Sequence, residues 1–420
     1  MIYDVVIVGA GASGLFAAAN IKSNNPDFRG LILNKAERPG LKLLMSGGGQ
    51  CNLTHGGDMR DFIPCYGSNG KKIRSLLYSF GNDSLKLWFQ ERGLRLTKRP
   101  DGKIFPESMR AKDVLDLLVK EAENGNFVLK NGIAVTDIAP GADSGDNRIF
   151  TITAENGSSW QAHKVIIAAG GLSYPVTGSD GSIYPVLAKL GHSIVSQRPS
   201  LVPLQVEGYP YGELSGYAVR DAEVYIYSGS QRPKKAPCIK DDVLLTTDSF
   251  SGPAVLNISR YALAGSTMEI NWYPEKSSEA VYDDLINMKA GNRRQIANVL
   301  ADYFKPQLSE AFAHAVIKCA GADPACRMAD VSSAVLRTVI RFITSDVFTI
   351  SGTSGYSRAM CTAGGIDLSE VDLKSMESRL QPGLYLTGEV LDVDGDTGGY
   401  NLHFAFASAA AAAGSINETL

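Results

Sequence analysis

The amino-acid sequence predicts an α/β protein in which one parallel sheet is interrupted by a strand-rich region and a helix-rich region. Three observations predict this class. First, a β-branched run at residues 2–8 breaks into a glycine turn, and a small-residue helix follows. Second, the apolar strand at residues 164–168 ends in a small-residue turn at 169–171, and residues 383–389 predict a further strand. Third, strand-like pieces separated by glycine and proline begin near Pro199, and helical spacing covers residues 277–343.

The first turn has the sequence GAGASG and lies between the predicted strand and the predicted helix. Gly9 permits a tight turn, Gly11 leaves room for a pyrophosphate, and Gly14 lets the helix pack against the strand. The free N–H groups at the helix N-terminus then form an anion site. With the strand and the helix both in place, the motif predicts dinucleotide binding rather than a simple strand–helix corner. The residues predicted to contact the dinucleotide here are Gly9, Gly11, Ala12, Ser13 and Gly14.

Apolar spacing predicts the other elements around this sheet. Helices are expected over residues 75–92 and 111–123, and residues 99–106 between them predict a turn-rich connection. The expected strands are residues 30–33, 133–138, 149–154, 159–162 and 164–168. The last of these is predicted to be a buried parallel strand, and the three before it an antiparallel meander.

Composition limits the classes of partner. The chain has 420 residues, of which 44% are hydrophobic and 20% charged, so a sizeable core and two or three domains are expected. The net charge is −3, the pI is about 6.0, and lysine and arginine are scattered along the chain. Because a phosphate backbone requires a basic stripe, we expect a small-molecule substrate and no nucleic-acid partner.

Targeting, membrane and metal signals are weak in this sequence. The apolar start carries Asp4 instead of a basic leader, which predicts a cytoplasmic protein. The apolar residues 405–413 are too few to span a membrane, which takes about 20 helical residues. The six cysteines form no CxxC pair. Residues 392–396 resemble a calcium loop, but the glycine is misplaced and His403 stands at position twelve, so no metal is expected.

Three further glycine-rich stretches accompany the first turn. They are GLKLLMSGGGQCNLTH at residues 40–55, GGLSYPVTGSDGS at residues 170–182 and TGEVLDVDGDTGGYNLHFAFASAAAAAG at residues 387–414. Together with GAGASG, they make the chain resemble the HI0933-like (YhiN/BaiN-like) family of bacterial FAD-dependent oxidoreductases over nearly its whole length.

This resemblance implies FAD bound in the glutathione-reductase manner, in a GR2-type Rossmann-like domain with two inserted domains. The FAD-binding domain would comprise residues 1–193 and 359–420. A β-barrel-like domain would comprise residues 194–274 with a return strand at 345–358, and a helical domain residues 275–344.

The resemblance and the expected sheet geometry together predict which residues form the cofactor site. By resemblance, the Val135 backbone faces the adenine, and the residues lining the flavin and pyrophosphate are Lys42, Ser46, Gly47, Gly48, Gly49, Cys51 and Asn52. Ala169 and Gly170 follow a parallel strand, where ligands of open α/β sheets bind. Glu389, after Gly388, suits the hydroxyls of the ribityl chain, since a carboxylate only accepts hydrogen bonds. The last helix opens with Gly399, Tyr400, Asn401 and Leu402.

The N-terminus of that last helix is expected at the N1–O2 edge of the flavin, where negative charge develops on reduction. Its alanines permit close packing under the first glycine turn.

Three positions depart from the expected pattern, and Cys51 allows two interpretations. Asn34, followed by Lys35, stands where an acidic residue usually holds a ribose, so its amide would take that role. Gln50 replaces an expected arginine, and Ile183 an expected glycine. Cys51 has no resolving cysteine nearby, which favours an inert packed thiol over a redox thiol.

The predicted function is that of an FAD-dependent oxidoreductase in which NAD(P)H reduces the flavin, which then reduces a small organic acceptor such as a conjugated ketone. The chain has no second GxGxxG, so the nicotinamide would bind transiently. Alternatives are an oxidase of an amine or alcohol, a non-catalytic flavin-binding sensor or scaffold, and a tRNA-modifying flavoprotein, which the acidic pI disfavours. Hydrolase, zinc-protease and triphosphatase motifs are absent from the sequence. Spacing names no catalytic acid or base.

Overall fold

The computed structural model describes residues 1–23, 25–141, 148–229 and 231–420. These residues form two compact units. The first, here called the cofactor unit, comprises residues 1–199 and 359–420, and the second, the barrel unit, comprises residues 200–358. Among the described helices, none has both the length and the apolar character that a membrane span requires.

The elements follow one another along the chain. The first 199 residues contain β1 (Ile2–Val8), α1 (Ala12–Asn20), β2 (Gly30–Asn34), α2 (Leu41–Met45), β3 (Thr54–His55), α3 (Met59–Cys65), α4 (Arg74–Ser79), α5 (Asn82–Glu91), β4 (Leu96–Lys98), β5 (Lys103–Pro106), α6 (Ala111–Asn124), β6 (Phe127–Asn131), β7 (Val135–Pro140), β8 (Phe150–Ala154), β9 (Ser159–Ile167), α7 (Tyr184–Lys189) and most of β10 (Ile194–Ser200). The barrel unit contains β11 (Leu204–Val206), β12 (Ala218–Tyr227), β13 (Cys238–Leu245), β14 (Phe250–Ser251), α8 (Gly252–Ile258), β15 (Thr267–Asn271), α9 (Ser278–Asn287), α10 (Ile296–Tyr303), α11 (Glu310–Cys319), α12 (Ser333–Thr344) and β16 (Asp346–Thr353). The chain then adds β17 (Cys361–Ile366), β18 (Leu384–Leu386) and α13 (Tyr400–Asn417).

The main sheet of the cofactor unit has seven strands. Its order is β6-β2-β1-β9-β8-β7, and β18 also pairs with β9. Strand β1 is parallel to both β2 and β9, and β18 is parallel to β9, so the carboxyl ends of these strands share one edge. Strands β7, β8 and β9 form the antiparallel meander. The α/β fold class and its Rossmann-like sheet are therefore confirmed.

Helices α1 and α13 join the two ends of the chain. The rings of Phe16 and Phe406 lie with their centroids 4.9 Å apart, and small residues around them let the two helices approach closely. At their far ends, the Asn417 amide donates to Asn20 O at 2.9 Å. The first and last motifs consequently belong to one packed core.

The barrel unit contains a closed barrel of six strands, in the order β11-β14-β13-β12-β15-β16. Its core is aromatic: Tyr211, Phe250, Trp272 and Phe312 are all fully buried, and the Tyr211 and Phe312 rings stack with centroids 5.5 Å apart. Helices α9 to α12 contribute to this same core. The inserted barrel and helices that the fold class included are present.

Two of the predicted elements differ in detail. The helix expected over residues 75–92 is wrong as a single helix, because Phe80 (φ −135°, ψ 78°) leaves the helical region and Gly81 begins a new helix in extended conformation. The strands expected at 159–162 and 164–168 are one strand, β9, because β1 pairs along it from Gln161 to Ile167. Part of the expected connection at 99–106 is the strand β5, which pairs with β3 and β4.

Candidate cofactor site

The glycine turn after β1 has the geometry that its sequence predicted. Gly9 has a φ of +112°, and a Cβ atom there would clash with the Ala168 carbonyl. A Cβ on Gly14 would clash with the Gly9 carbonyl, whereas one on Gly11 would meet nothing within 4 Å. Helix α1, which Ala12 opens, has no side-chain cap. The two outer glycines are therefore needed by the fold, and Gly11 leaves open space in front of free N–H groups, which fits a pyrophosphate.

The first and last motifs meet at the start of α1. Ser13 Oγ donates a hydrogen bond to Thr387 Oγ1 at 2.8 Å. Gly388 N donates to Ser408 Oγ at 3.0 Å, and a Cβ on Gly388 would lie 3.1 Å from Ser13 Cβ. The sequence predicted Ser13 and Gly388 as separate ligand contacts, and the structure places them side by side.

A carboxylate and an ammonium group form the polar centre of the site. Lys42 Nζ, from α2, forms an ion pair with Glu389 and contacts Ser173 Oγ. Glu389 Oε1 also accepts from Ser173 Oγ at 2.6 Å and from Thr362 N at 2.9 Å. The side chains of Lys42 and Glu389 are 24% and 20% exposed, so both remain accessible to a ligand. We call Lys42, Ser173, Thr362 and Glu389 the ion-pair cluster.

The triple-glycine loop after α2 leaves backbone groups accessible. Gly47, Gly48 and Gly49 all have positive φ values, of +56°, +66° and +87°, and a Cβ on Gly48 would meet nothing within 4 Å. Ser46 Oγ donates to Leu43 O at 2.6 Å, which fixes the start of the loop. Asn52 Oδ1 is buried and accepts no hydrogen bond from any described residue. An unused buried acceptor and open backbone fit a ligand that carries hydrogen-bond donors.

Cys51 is a packed thiol. It is fully buried and adopts a left-handed conformation with φ +61°. Burial raises the pKa of Cys51 to about 12, and the hydrogen bond with Ser46 only partly opposes this shift. The thiol is therefore neutral near pH 7, which favours the inert thiol over a redox thiol.

Gln50 brings an arginine into the same loop from a distant part of the chain. Arg99 Nη2, between β4 and β5, donates to Gln50 Oε1 at 2.5 Å. The guanidinium carbon lies 4.0 Å from the centroid of the Phe105 ring. The motif lacks the arginine expected at position 50, and a guanidinium reaches the loop from elsewhere.

The start of α13 is shaped by close backbone packing. Gly399 has a φ of +94°, and a Cβ there would lie 2.8 Å from the Thr54 backbone. The Asn401 side chain bonds both N and O of Gly395, each at 2.8 Å, so its amide is engaged in the loop before the helix. No side chain caps α13. Its first N–H groups are consequently the part of this segment that a ligand could use.

Aromatic rings pack beside this helix start. Tyr400 stacks on His55, with ring centroids 5.5 Å apart, and the Tyr400 carbonyl accepts from Tyr66 OH at 2.9 Å. Leu402 is partly buried in the first turn. Burial raises the pKa of Tyr400 above its usual range, so its phenol is neutral at physiological pH.

The other end of the site contains a cavity of about 230 Å³. Lys35 and Val135, both predicted for the adenosine end, line it together with part of α7. Segment 170–182 connects this cavity to the ion-pair cluster, because Ser182 Oγ accepts from Lys35 Nζ at 3.0 Å and Ser179 Oγ lies 3.5 Å from Lys42 Nζ. A Cβ on Gly170 would lie 2.5 Å from Ser179 Oγ, so this segment packs directly on the turn that Ala169 and Gly170 form after β9.

Asn34 has a different environment from the one expected. Its amide nitrogen donates to Ala36 O at 2.9 Å, to Arg38 O at 3.1 Å and to Asn131 Oδ1 at 2.8 Å. Its Oδ1 accepts from Ala10 N at 3.4 Å. The side chain thus holds the end of β2 to its neighbours, and its amide donors are already engaged within the protein rather than free for a ribose.

The sequence is similar to those of known proteins over nearly its whole length. The model of the family "HI0933-like protein Rossmann domain" matches residues 3–415. The chain is 31% identical over 411 residues to a 3-dehydro-bile acid delta(4,6)-reductase of Clostridium scindens, covering 96% of each chain. It is 30% identical over 412 residues to the ribosomal RNA dihydrouridine synthase of Escherichia coli, covering 98% of this chain and 97% of that one.

A solved structure supports the fold. The 3-ketosteroid-delta4-(5alpha)-dehydrogenase of Rhodococcus jostii superposes with a TM-score of 0.50 at 15% identity, over 98% of this chain and 96% of that chain. With a family model covering nearly the whole sequence and a full-length relative above 30% identity, the chain belongs to the HI0933-like family of FAD-dependent oxidoreductases.

Proposed function

We propose that this protein is an FAD-dependent reductase that uses NAD(P)H to reduce a carbon–carbon double bond conjugated with a carbonyl group in a small molecule. The observation that carries this proposal is that two relatives, each matching at least 96% of this chain, are named for reactions at the same kind of double bond. A Δ4 double bond beside a 3-oxo group is an enone. The 5,6 double bond of uridine, which dihydrouridine lacks, is likewise conjugated with a carbonyl.

The residues of the cofactor unit suit this role. FAD, when bound, supplies the hydride acceptor and donor at its N5 position. Gly11 and the start of α1 would hold its diphosphate, and the Glu389 carboxylate would accept hydrogen bonds from its polyol hydroxyls. The uncapped N-terminus of α13 would stabilise negative charge that develops nearby. Cys51 would contribute packing alone, because its thiol is neutral.

An anaerobic spectrum tests the proposal. The holoprotein is mixed with NADH or NADPH, and bleaching of the flavin absorbance is followed by addition of a 3-oxo-Δ4 steroid. We expect bleaching by a nicotinamide and stoichiometric reoxidation by the enone. Bleaching only by an amine or alcohol would support the oxidase instead, and a flavin that neither bleaches nor reoxidises would support the sensor.

A uridine in RNA is the second candidate acceptor, and the name of the Escherichia coli relative favours it. The expectation of no nucleic-acid partner came from a net charge of −3 without a basic stripe, and the relative leaves that expectation open. The same reduced enzyme, mixed with ribosomal RNA in place of the steroid, separates the two acceptors. Reoxidation by RNA alone would replace the small molecule as the acceptor.

A further inference from the structure

The cavity at the adenosine end contains a carboxylate that no motif identified. Glu155 lines it together with Lys35, Val135 and Lys189. The volume of about 230 Å³ is below the roughly 300–1,000 Å³ of a pocket for a whole drug-sized ligand. The cavity is therefore of a size for one ring system rather than for a dinucleotide.

The backbone holds Glu155 at this place. It follows β8 directly, and its N–H donates to Ala134 O at 2.9 Å, next to Val135. Gly157 N donates to Ala154 O at 3.0 Å and closes the turn between β8 and β9. The carboxylate is thus carried on an ordered hairpin, while the side chain itself is exposed.

The other charges of the cavity are neutralised by residues outside its lining. Lys35 Nζ lies 2.5 Å from Asp180 Oδ2, and Lys189 Nζ lies 3.3 Å from Asp137 Oδ1. Within the described ranges, the Glu155 carboxylate has no ion pair or side-chain hydrogen bond. It is therefore the acceptor left free for a ligand in this cavity.

The end of β2 offers no carboxylate to the adenosine half of the cofactor. A carboxylate there usually holds the ribose of a bound dinucleotide. Here the position is Asn34, whose amide donors are engaged by Ala36, Arg38 and Asn131. The sheet consequently offers no acidic group from β2, and the β8–β9 hairpin presents one beside the same cavity.

We propose that Glu155 recognises the adenine of FAD by accepting a hydrogen bond from its exocyclic amino group, with Val135, Pro185 and Val186 as the apolar walls of the cavity. Adenine carries a donor at this edge, which matches an acceptor-only carboxylate. Hypoxanthine carries an oxygen there, which the carboxylate would repel. The inference rests on FAD as the cofactor and does not depend on which molecule accepts the electrons of the flavin.

The test compares ADP with IDP as competitors of FAD loading. Full-length apoprotein is mixed with FAD and either nucleotide, and loading is followed by quenching of flavin fluorescence. In the wild type we expect ADP to compete about tenfold better than IDP, as for one hydrogen bond to a charged group. In Glu155→Gln the ratio should fall to within about twofold, because a glutamine amide can donate to oxygen or accept from an amino group.

Two features make the result decisive. The ratio of two nucleotides of equal charge cancels any general effect of removing a negative charge. Glu123→Gln changes an exposed glutamate of the same unit that does not line the cavity, and it should keep the wild-type ratio. A wild type without preference for ADP, or a Glu155→Gln variant that retains it, would overturn the proposal, and neither readout depends on turnover.

Discussion

The two units of this protein place a carboxylate next to a β-strand in opposite ways. In the cofactor unit, Glu389 follows β18, is 20% exposed and is paired with Lys42. In the barrel unit, Asp346 begins β16 and is 1% exposed. Asp346 Oδ2 accepts from Tyr211 OH at 2.5 Å and from Trp272 Nε1 at 3.1 Å. Its other oxygen is buried and accepts no hydrogen bond from the described residues.

This difference predicts that Glu389 binds a ligand and that Asp346 stabilises the fold. Glu389 keeps a water-accessible side with a cation beside it, so a ligand can replace water there at small cost. Asp346 has aromatic neighbours, and burial raises its pKa to about 7. Substitutions of residues that a ligand can reach in the cofactor unit should therefore lower FAD retention, and substitution of Asp346 should affect stability alone.

The largest expected effect is at Gly11. A Cβ atom at this position has no protein atom within 4 Å, so a valine can be accommodated there, yet its side chain would fill the place of the diphosphate. Gly11→Val should purify as folded protein with less than about a tenth of the wild-type FAD content. Absorbance at 450 nm per chain and the thermal midpoint are the measurements.

The matched control is Gly352→Val in the barrel unit, which also has open space around its Cβ and no positive φ. It should retain its FAD. If Gly11→Val kept a full complement of flavin, the diphosphate could not lie at this turn. The cofactor unit would then not differ from the barrel unit in the way proposed.

The second effect is a pH dependence of stability that comes from Asp346. The pKa of Asp346 is about 7 in the folded state, against its usual value of 3.8, so between these pH values the folded state holds a proton that the unfolded state has lost. The stabilisation is fully present below about pH 4 and is lost as the pH rises through about 7, by on the order of 4 kcal/mol at most. Asp346→Asn should remove this slope.

Urea unfolding between pH 4 and pH 8, followed through tryptophan fluorescence, measures this pH dependence. The Trp272 indole donates a hydrogen bond to Asp346. The positive charge of Arg341 lowers the pKa of Asp346 and so partly opposes the increase that burial causes. Equal pH slopes for the wild type and Asp346→Asn would show that this carboxyl does not titrate between the folded and unfolded states.

The third effect, at Glu389, is mixed. Glu389→Ala leaves Lys42 without its ion-pair partner and removes the acceptor of Ser173 and Thr362 N. We expect FAD to bind roughly tenfold more weakly, and the protein to lose about 1–3 kcal/mol of unfolding free energy. Glu389→Gln retains an acceptor oxygen and should recover most of the stability but little of the affinity. FAD release after dilution and thermal unfolding measure both. Unchanged FAD retention in Glu389→Ala would remove this residue from the site.

The sequence could predict the parts of the site that are local in the chain. The glycine turn after β1 follows from the order strand, turn and helix, and the carboxyl ends of β1, β9 and β18 share an edge because the strands are parallel. Short strands between glycine and proline turns predicted a small β-barrel or sandwich, and the structure has the barrel. These features depend on backbone conformation, which neighbouring residues determine.

The contacts that the sequence missed join distant segments. Ser173, from segment 170–182, and Thr362, from β17, reach Glu389, and Ser173 is 216 positions away in sequence. Arg99 approaches Gln50 through a hairpin whose strand pairing no local pattern revealed. A side chain can likewise be engaged in an unforeseen way, as Asn34 is. Nothing in a local pattern specifies these pairings, because they form only when the sheet has assembled.

The smallest expected effect is at Thr387, where the cofactor unit contains a polar contact that serves the fold. Thr387 Oγ1 accepts from Ser13 Oγ at 2.8 Å between α1 and the end of β18. Thr387→Val keeps the shape and should cost about 1 kcal/mol, since Ser13 would lose its buried partner, with a fall in the thermal midpoint of about 2–4 °C. FAD content should stay at the wild-type level. The double variant Ser13→Ala, Thr387→Val should be no less stable than Thr387→Val, because the unpaired hydroxyl is then gone. Loss of FAD at an unchanged thermal midpoint would show instead that these two hydroxyl groups contribute to cofactor binding. Solvent exposure of a polar side chain would then not distinguish residues that bind the ligand from residues that stabilise the fold.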